Sequence, residues 1–285
     1  MDRDGRGLLV IGGRSLIGRR LGEIVPAATL TSREVLPGNS LVLDTEHPQA
    51  FAPAATFDTV IMCAPVWLMT ADLLERLYLL GMRRLVVFSS TSLVTKDTSA
   101  DAAERAVVAK LAAGEKAVMA FCQVMAVAYT ILRPTLIYDE GEDENVSAIA
   151  ATIRKFGFFP VCGQASGLRQ PVHARDLAIA ALQVAGTKLS YNKSYNLAGG
   201  ETLAYRDMVL RVFKGLDKQP VILVIPEILW RLGFLVRNLL PARGPKRNIQ
   251  MVLRMNLDLR FDSRDAVRDF GYAPGLFQPK FSDAK

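Results

Sequence analysis

Gly12, Gly13 and Gly18 are the residues whose spacing most directly implies chemistry. They follow the apolar run Leu8–Ile11 and open a segment in which Ile17, Leu21 and Ile24 recur at helical spacing. A strand that stops at a glycine turn and restarts as a helix aims backbone N–H groups and a positive helix end at one point, which suits a pyrophosphate. On this reading Gly12 allows the tight turn, Gly13 admits backbone close to the ligand, and Gly18 lets the helix pack on the sheet. Arg14, Ser15, Leu16 and Ile17 complete the cradle. Ser15 stands where the usual fingerprint has its middle glycine, so the mechanics are kept and the strict motif is not.

A second set lies about twenty residues further on, at Thr31-Ser32-Arg33-Glu34. An acid at this position holds the adenosine ribose 2′-hydroxyl, whereas an arginine suits a 2′-phosphate. Arg33 with Arg14 beside it favours NADP, with NAD as the alternative. Asp44 could accept from the adenine amine or cap the segment at Glu46. Phe88-Ser89-Ser90-Thr91-Ser92 sets hydroxyls at the end of another apolar run, where strand ends face a ligand crevice. Ala64, Ser89 and Pro134, each at a strand end, join the expected cofactor contacts.

These groups must be positioned by alternating elements. Leu8–Ile11, Ala28–Thr31, Leu41–Leu43, Thr59–Cys63, Leu85–Phe88 and Tyr129–Leu132 read as short buried strands. Leu16–Val25, Ala71–Leu80 and a long stretch from Asp101 to Val127 read as helices between them. The alternation predicts a doubly wound parallel sheet, an α/β Rossmann-type fold. Beyond Gly163, helices predominate: Ala174–Ala185, Tyr205–Lys214, Pro226–Leu239, Ile249–Met255 and Ser263–Phe270, with Ser194–Leu197 and Pro220–Ile225 extended. The expected division is a nucleotide domain over residues 1–190 and a small α-rich substrate lobe over 191–285, with 135–170 contributing to the lobe.

At 285 residues and 50% hydrophobic content the chain can bury a large core. Cys63, Cys122 and Cys162 are far apart, with neither metal nor disulfide spacing, so a cytoplasmic setting without metal is expected. The first residues lead straight into a strand, which argues against a signal peptide. The uncharged run Ala117 to Leu132 falls short of the ~20 residues of a membrane span. The net charge is +7, and Arg237, Arg243, Lys246, Arg247, Arg254 and Arg260 are opposed only by Asp258. That face is either solvated, docked on an anionic membrane surface, or used for a phosphorylated substrate. No nucleic-acid-binding motif is present.

Together these segments resemble the short-chain dehydrogenase/reductase superfamily in its extended and atypical branches, and best the NAD-dependent epimerase/dehydratase family. Gly12-x-x-Ser15-x-x-Gly18 is similar to its cofactor turn, and Ser89-Ser90-Thr91 to its strand-end hydroxyl. Leu132-Arg133-Pro134-Thr135-Leu136-Ile137-Tyr138 resembles the segment after its sixth strand. Arg169-x-x-x-His173-x-x-Asp176 resembles its arginine–histidine–aspartate stretch, and Tyr195-Asn196-Leu197-Ala198-Gly199 and Asp269–Pro274 its late segments.

The resemblance implies Thr91 as catalytic hydroxyl, Arg169 on the diphosphate of a nucleotide sugar, and Thr135 and Tyr138 near nicotinamide or substrate. It places His173 in a core hydrogen bond or at the substrate. One departure is plain. The family's acid/base is a tyrosine four residues before a lysine, which lowers its pKa. No tyrosine occurs between Tyr78 and Tyr129, and Lys110 and Lys116 are preceded at that spacing by Ala106 and Ala112. Lys116 is the preferred ligand of the nicotinamide ribose, with Tyr138, Glu115 or a water as substitute proton carriers.

The expected function is thus an NAD(P)-binding epimerase/dehydratase or reductase working on a nucleotide-linked or lipid-linked, for instance polyprenyl-linked, sugar. The rivals are a non-catalytic NAD(P)-binding sensor or assembly protein and a reductase of a small carbonyl compound or quinone.

Overall fold

The computed structural model describes residues 7–239 and 249–281. Met1–Asp4 and the basic residues Arg243, Lys246 and Arg247 lie outside the described residues, as does the side chain of Arg237.

Seven parallel strands form the central sheet: β1 (Leu8–Ile11), β2 (Thr29–Ser32), β3 (Ser40–Val42), β4 (Thr59–Met62), β5 (Arg84–Phe88), β6 (Ala128–Pro134) and, further along the chain, β11 (Lys193–Leu197). Their order is β3-β2-β1-β4-β5-β6-β11. The order reverses direction between β1 and β4, the switch point outside whose carboxyl ends a nucleotide binds. The strands are apolar because both faces are covered: Leu8, Leu9 and Val10 are fully buried, each contributing about 2 kcal/mol by removal from water.

On one face, α1 (Leu16–Ile24) and α6 (Ala174–Gly186) pack on Leu8, Val10, Ile61 and Val86. On the other, α2 (Ala71–Leu79) and α4 (Ala102–Val124) cover Leu9, Val60, Leu85 and Ile131. A short α3 (Ser92–Thr95) follows β5. The alternating burial of β1 thus serves two helix layers at once.

The smaller lobe has its own apolar core. It holds β7 (Ile137–Tyr138), α5 (Val146–Phe156), β8 (Phe159–Cys162), β9 (Leu168–Arg169), β10 (Val172–His173), β12 (Leu203–Ala204), α7 (Tyr205–Gly215), β13 (Ile222–Ile225), α8 (Glu227–Leu239) and α9 (Ile249–Leu253). Strands β8 and β13 pair in parallel. Segment 135–170 enters this lobe, yet a boundary at 190/191 would cut β11 from its partner β6. Helix α10 (Arg264–Phe270) likewise returns to the main core, where Ala266, Phe270 and Tyr272 pack with Leu177 and Tyr195.

Candidate active site

The glycine turn takes the form its residues imply. Gly12 has φ +90°, and a Cβ there would lie 2.7 Å from the Ala64 amide nitrogen, so only glycine fits between β1 and the end of β4. A Cβ on Gly18 would lie 2.2 Å from the Gly12 carbonyl oxygen, which is why α1 can begin so close to the strand. Gly13 differs from the expectation. A Cβ there would meet Leu36 and Leu30 side chains at 2.8 and 3.0 Å, so its smallness serves packing against β2 and its loop.

The amides of Gly12 and Gly13 both donate to the Thr31 carbonyl, at 3.1 and 2.8 Å. Ser15 caps α1, its Oγ accepting from the Gly18 amide at 3.0 Å. The first-turn amides of Leu16 and Ile17 have no acceptor inside the helix. With the helix's positive end, they are groups free to receive an anion. The Ile17 side chain itself is core.

At the end of β2, Arg14 forms an ion pair with Glu34 at 2.5 Å, both side chains exposed. The Ser32 hydroxyl donates to the Glu34 carbonyl and accepts from its amide, shaping this turn. The two cations expected around one phosphate are therefore unequal: Arg14 already has a carboxylate, and Arg33 is exposed beside Asp44. Asp44 accepts from the Glu46 amide at 2.9 Å and bonds His47 Nδ1 at 2.9 Å, which hold its carboxyl below the ordinary value. The capping role is what the geometry displays.

Ser89, Thr91, Pro134 and Thr135 meet where β5 and β6 end. The Thr91 hydroxyl donates to the Pro134 carbonyl at 3.0 Å and its amide to the same oxygen at 3.2 Å, tying the two strand ends together. The Ser90 hydroxyl donates to Ser92 Oγ at 3.0 Å. Ser89 stands apart: its Oγ is buried and has no hydrogen-bond partner. A buried hydroxyl without a partner is costly, and a bound ligand would satisfy it.

Several expected contacts are engaged elsewhere. Arg169 is 4% exposed, and its guanidinium donates to the carbonyls of Leu168, Leu257 and Arg254 at 2.8, 2.7 and 2.5 Å. Burial pushes its pKa down to about 10. The geometry corrects the diphosphate role: this side chain clamps the lobe's backbone. Thr135 Oγ1 donates to the Gln170 carbonyl. Tyr138 is buried edge-on between His173 and Phe277, at centroid distances of 5.0 and 4.9 Å. Burial pushes its phenol well above the ordinary value, so it stays protonated and is a poor proton donor.

His173 caps α6, Nδ1 accepting from the Arg175 amide at 3.0 Å, which leaves Nε2 to donate to Glu140 at 3.1 Å. Asp139, Glu140 and His173 bring ligand-type atoms within 4.8 Å of one another. Arg20 neutralises Asp139 there through Nε and Nη2 at 3.0 and 2.5 Å.

Helix α4 gives the sharpest correction. Its sheet-facing stripe is Leu111, Gly114, Glu115, Val118 and Cys122, whereas Lys110 and Lys116 are exposed. Lys116 therefore lies off the stripe that meets the sheet. Glu115, buried on the stripe, accepts from Arg133 Nε at 2.9 Å and Nη2 at 2.5 Å. This pairing raises the pKa of Arg133. Glu115 is committed to an ion pair and is not a free proton carrier. The signal for it was the recurrence of 111, 114, 115, 118 and 122, one helical face on which a single acid sits.

A cavity of about 960 Å³ opens at the amino ends of β4, β5 and β6, lined by Arg83, Arg84, Tyr129 and Tyr191. It is at the opposite end of the strands from the glycine turn. Arg84 there is 5% exposed and donates to Thr130 Oγ1, the Val184 carbonyl and Ser190 Oγ, stitching β5 to β6 and α6. The glycine turn and the Ser89 hydroxyl, which has no partner among the described residues, both lie at the carboxyl ends of the sheet strands.

No curated protein sequence matches the chain. Among solved structures it is similar to an epimerase from Methanothermobacter thermautotrophicus, with 17% identity over 96% of this chain and 89% of that one and a TM-score of 0.71. A UDP-glucose 4-epimerase from Thermotoga maritima, solved with UDP-glucose, shares 16% identity over 94% and 93%, at a TM-score of 0.68. A dTDP-glucose 4,6-dehydratase from Bacillus anthracis, solved with NAD, shares 14% over 94% and 91%, at 0.67. These likenesses show the fold. The resemblance read from the sequence holds: residues 59–198 match the sequence model of the NAD dependent epimerase/dehydratase family.

Proposed function

We propose that this chain is a dinucleotide-dependent enzyme of the epimerase/dehydratase type, acting on a sugar carried by a nucleotide. The observation that carries it is the switch point, where the Gly12–Gly18 turn lies against the end of β4. The residues present fit the dinucleotide. The amides of Leu16 and Ile17 would hold its pyrophosphate, Glu34 and Arg33 would meet the adenosine ribose, and Ser89 would meet the nicotinamide side. The dinucleotide supplies hydride transfer when bound.

An acid two residues beyond β2 suits a ribose 2′-hydroxyl, and the ion pair with Arg14 holds that acid in place. This shifts the preference from NADP to NAD, since a 2′-phosphate would have to break the Arg14–Glu34 pair. The nucleotide-sugar reading is supported by the UDP-glucose in the similar 4-epimerase structure and by the dTDP-glucose for which the similar dehydratase is named. The Ser89–Ser92 hydroxyls are the polar groups at the strand end that could hold a sugar oxygen.

A second reading is favoured by α4, whose inner stripe holds neither tyrosine nor lysine. On it, the chain binds the dinucleotide and turns nothing over. Titration with NADH and NADPH, followed by a panel of nucleotide sugars read by nicotinamide absorbance and product analysis, separates the two. Binding with turnover supports the enzyme, binding without turnover across the panel supports the second reading, and no binding to either dinucleotide refutes both.

A further inference from the structure

The structure points to an element that gives one side to the fold and leaves the other uncovered. Helix α8 follows β13 directly and is apolar on two sides. Trp230 and Phe234, four residues apart, pack on the core of the smaller lobe. Ile228, Leu229, Leu232 and Leu235 form a stripe on the other side and are 66, 55, 51 and 60% exposed. On the strand before it, Leu223 and Val224 are also exposed, at 49 and 44%. Single exposed leucines are ordinary, but a contiguous stripe on one helix marks an interaction surface.

Charge identifies the partner. From Arg231 to Arg254 the sequence carries Arg231, Arg237, Arg243, Lys246, Arg247 and Arg254 and no acid. Arg231 is paired with Glu227 and Arg254 with Glu104. Lys218, three residues before β13's neighbour Val221, and Lys155, over the Phe156 ring at the end of α5, add described cations near the β8–β13 pair. An aliphatic stripe followed in sequence by a run of cations without an acid, its own Glu227 already held by Arg231 and Asp217 matched by the adjoining Lys218, complements an anionic bilayer surface rather than a protein with its own acidic and apolar mosaic. No described helix is long and apolar enough to cross a membrane, so the element would lie on the surface.

We propose that β13 and α8 dock this protein on anionic lipid bilayers, with Leu229, Leu232 and Leu235 inserted among the acyl chains and the lobe's cations at the phosphates. Docking is independent of which reading of the crevice holds, and its test does not use activity.

The full-length protein is sedimented with vesicles of phosphatidylcholine alone and of phosphatidylcholine mixed with phosphatidylglycerol. Leu229→Ser/Leu232→Ser is compared after a matched circular dichroism spectrum and melting curve. Both residues are exposed, so the variant should fold. Wild type is expected to pellet with the phosphatidylglycerol vesicles, less with phosphatidylcholine and less at high salt. The variant should lose at least about tenfold in partitioning, as the removal of two aliphatic side chains implies. Absent wild-type binding, or binding that the variant leaves unchanged, overturns the proposal. So does a wild-type dimer in solution that the same variant makes monomeric, because the stripe would then be a subunit contact.

Discussion

Replacing Glu104 by Gln should loosen the joint between the sheet domain and the smaller lobe, and only where the carboxylate is charged. Glu104 lies in the first turn of α4 and accepts from Arg254 Nη1 and Nη2 at 2.8 and 2.6 Å and from Ser99 Oγ at 2.6 Å. The two side chains are 14 and 15% exposed, so little solvent screens them. The Arg254 hydrogen bonds bring the carboxyl from 4.5 down to about 2, against burial that pushes it up. Because the folded value is the lower one, the stabilisation is complete above pH 4.5 and is lost as pH falls through about 2. That difference amounts to ~3 kcal/mol at neutral pH, roughly 1.4 kcal/mol at pH 3 and under ~0.5 kcal/mol at pH 2.

Glutamine also leaves Arg254 buried without a counter-charge, so a loss of about 3 kcal/mol at pH 7 is expected. Urea unfolding of wild type and Glu104→Gln at pH 7 and pH 3 measures it, provided the slope against urea stays constant. The gap should narrow from ~3 to ~1 kcal/mol. An equal gap at the two pH values would refute the reasoning. So would additive losses in a cycle with Arg254→Met, because contacting partners must couple.

Three further outcomes follow from the crevice. Gly18→Ala forces a methyl to within 2.2 Å of the Gly12 carbonyl; it should cost ~3 kcal/mol in thermal unfolding and at least about tenfold in dinucleotide affinity. Glu34→Gln frees Arg14 and removes the acceptor for a ribose hydroxyl, so calorimetry should show NADH weakened and NADPH strengthened, their ratio shifting by about tenfold; parallel changes would contradict the ribose assignment. Ser89→Ala removes a buried hydroxyl that has no partner. Its stability should stay within ~0.5 kcal/mol of wild type while dinucleotide binding falls, and a large destabilisation would show the hydroxyl to be structural.

Most elements were legible because the chain obeys local rules. β1 was read at its observed bounds, since four apolar residues end at a glycine that must adopt φ +90°. Helices α1, α2 and α6 were read to within a residue, from their apolar periodicity; the structure adds the Ser15 and Thr70 caps. The edge of the sheet was not legible: nothing local to Lys193–Leu197 says that it pairs with β6, a partner some sixty residues away in sequence.

Side-chain commitments were the other blind spot. Arg169 looks like a ligand residue in sequence because its type is right, and only the fold reveals the Leu257 and Arg254 carbonyls that occupy it. Lys116 failed for a simpler reason. Adjacent positions on a helix differ by about 100°, and the buried neighbour is Glu115.

The stripe on α4 has a consequence for any attempt to give this protein a faster proton transfer. Residues stacked four apart share a face, so the positions in phase with Glu115 are Leu111 and then Val107. The alanine–lysine pairs at 106/110 and 112/116 are out of phase with that face. A tyrosine introduced at 106 or 112 would sit over solvent however well its spacing to a lysine matched. Installing the pair as Val107→Tyr with Leu111→Lys would put the lysine on the buried stripe, one turn from the Glu115 carboxylate, with the tyrosine one turn before it at a position that is 42% exposed. The helix's rotation about its own axis, more than its composition, decides which substitutions can reach the crevice.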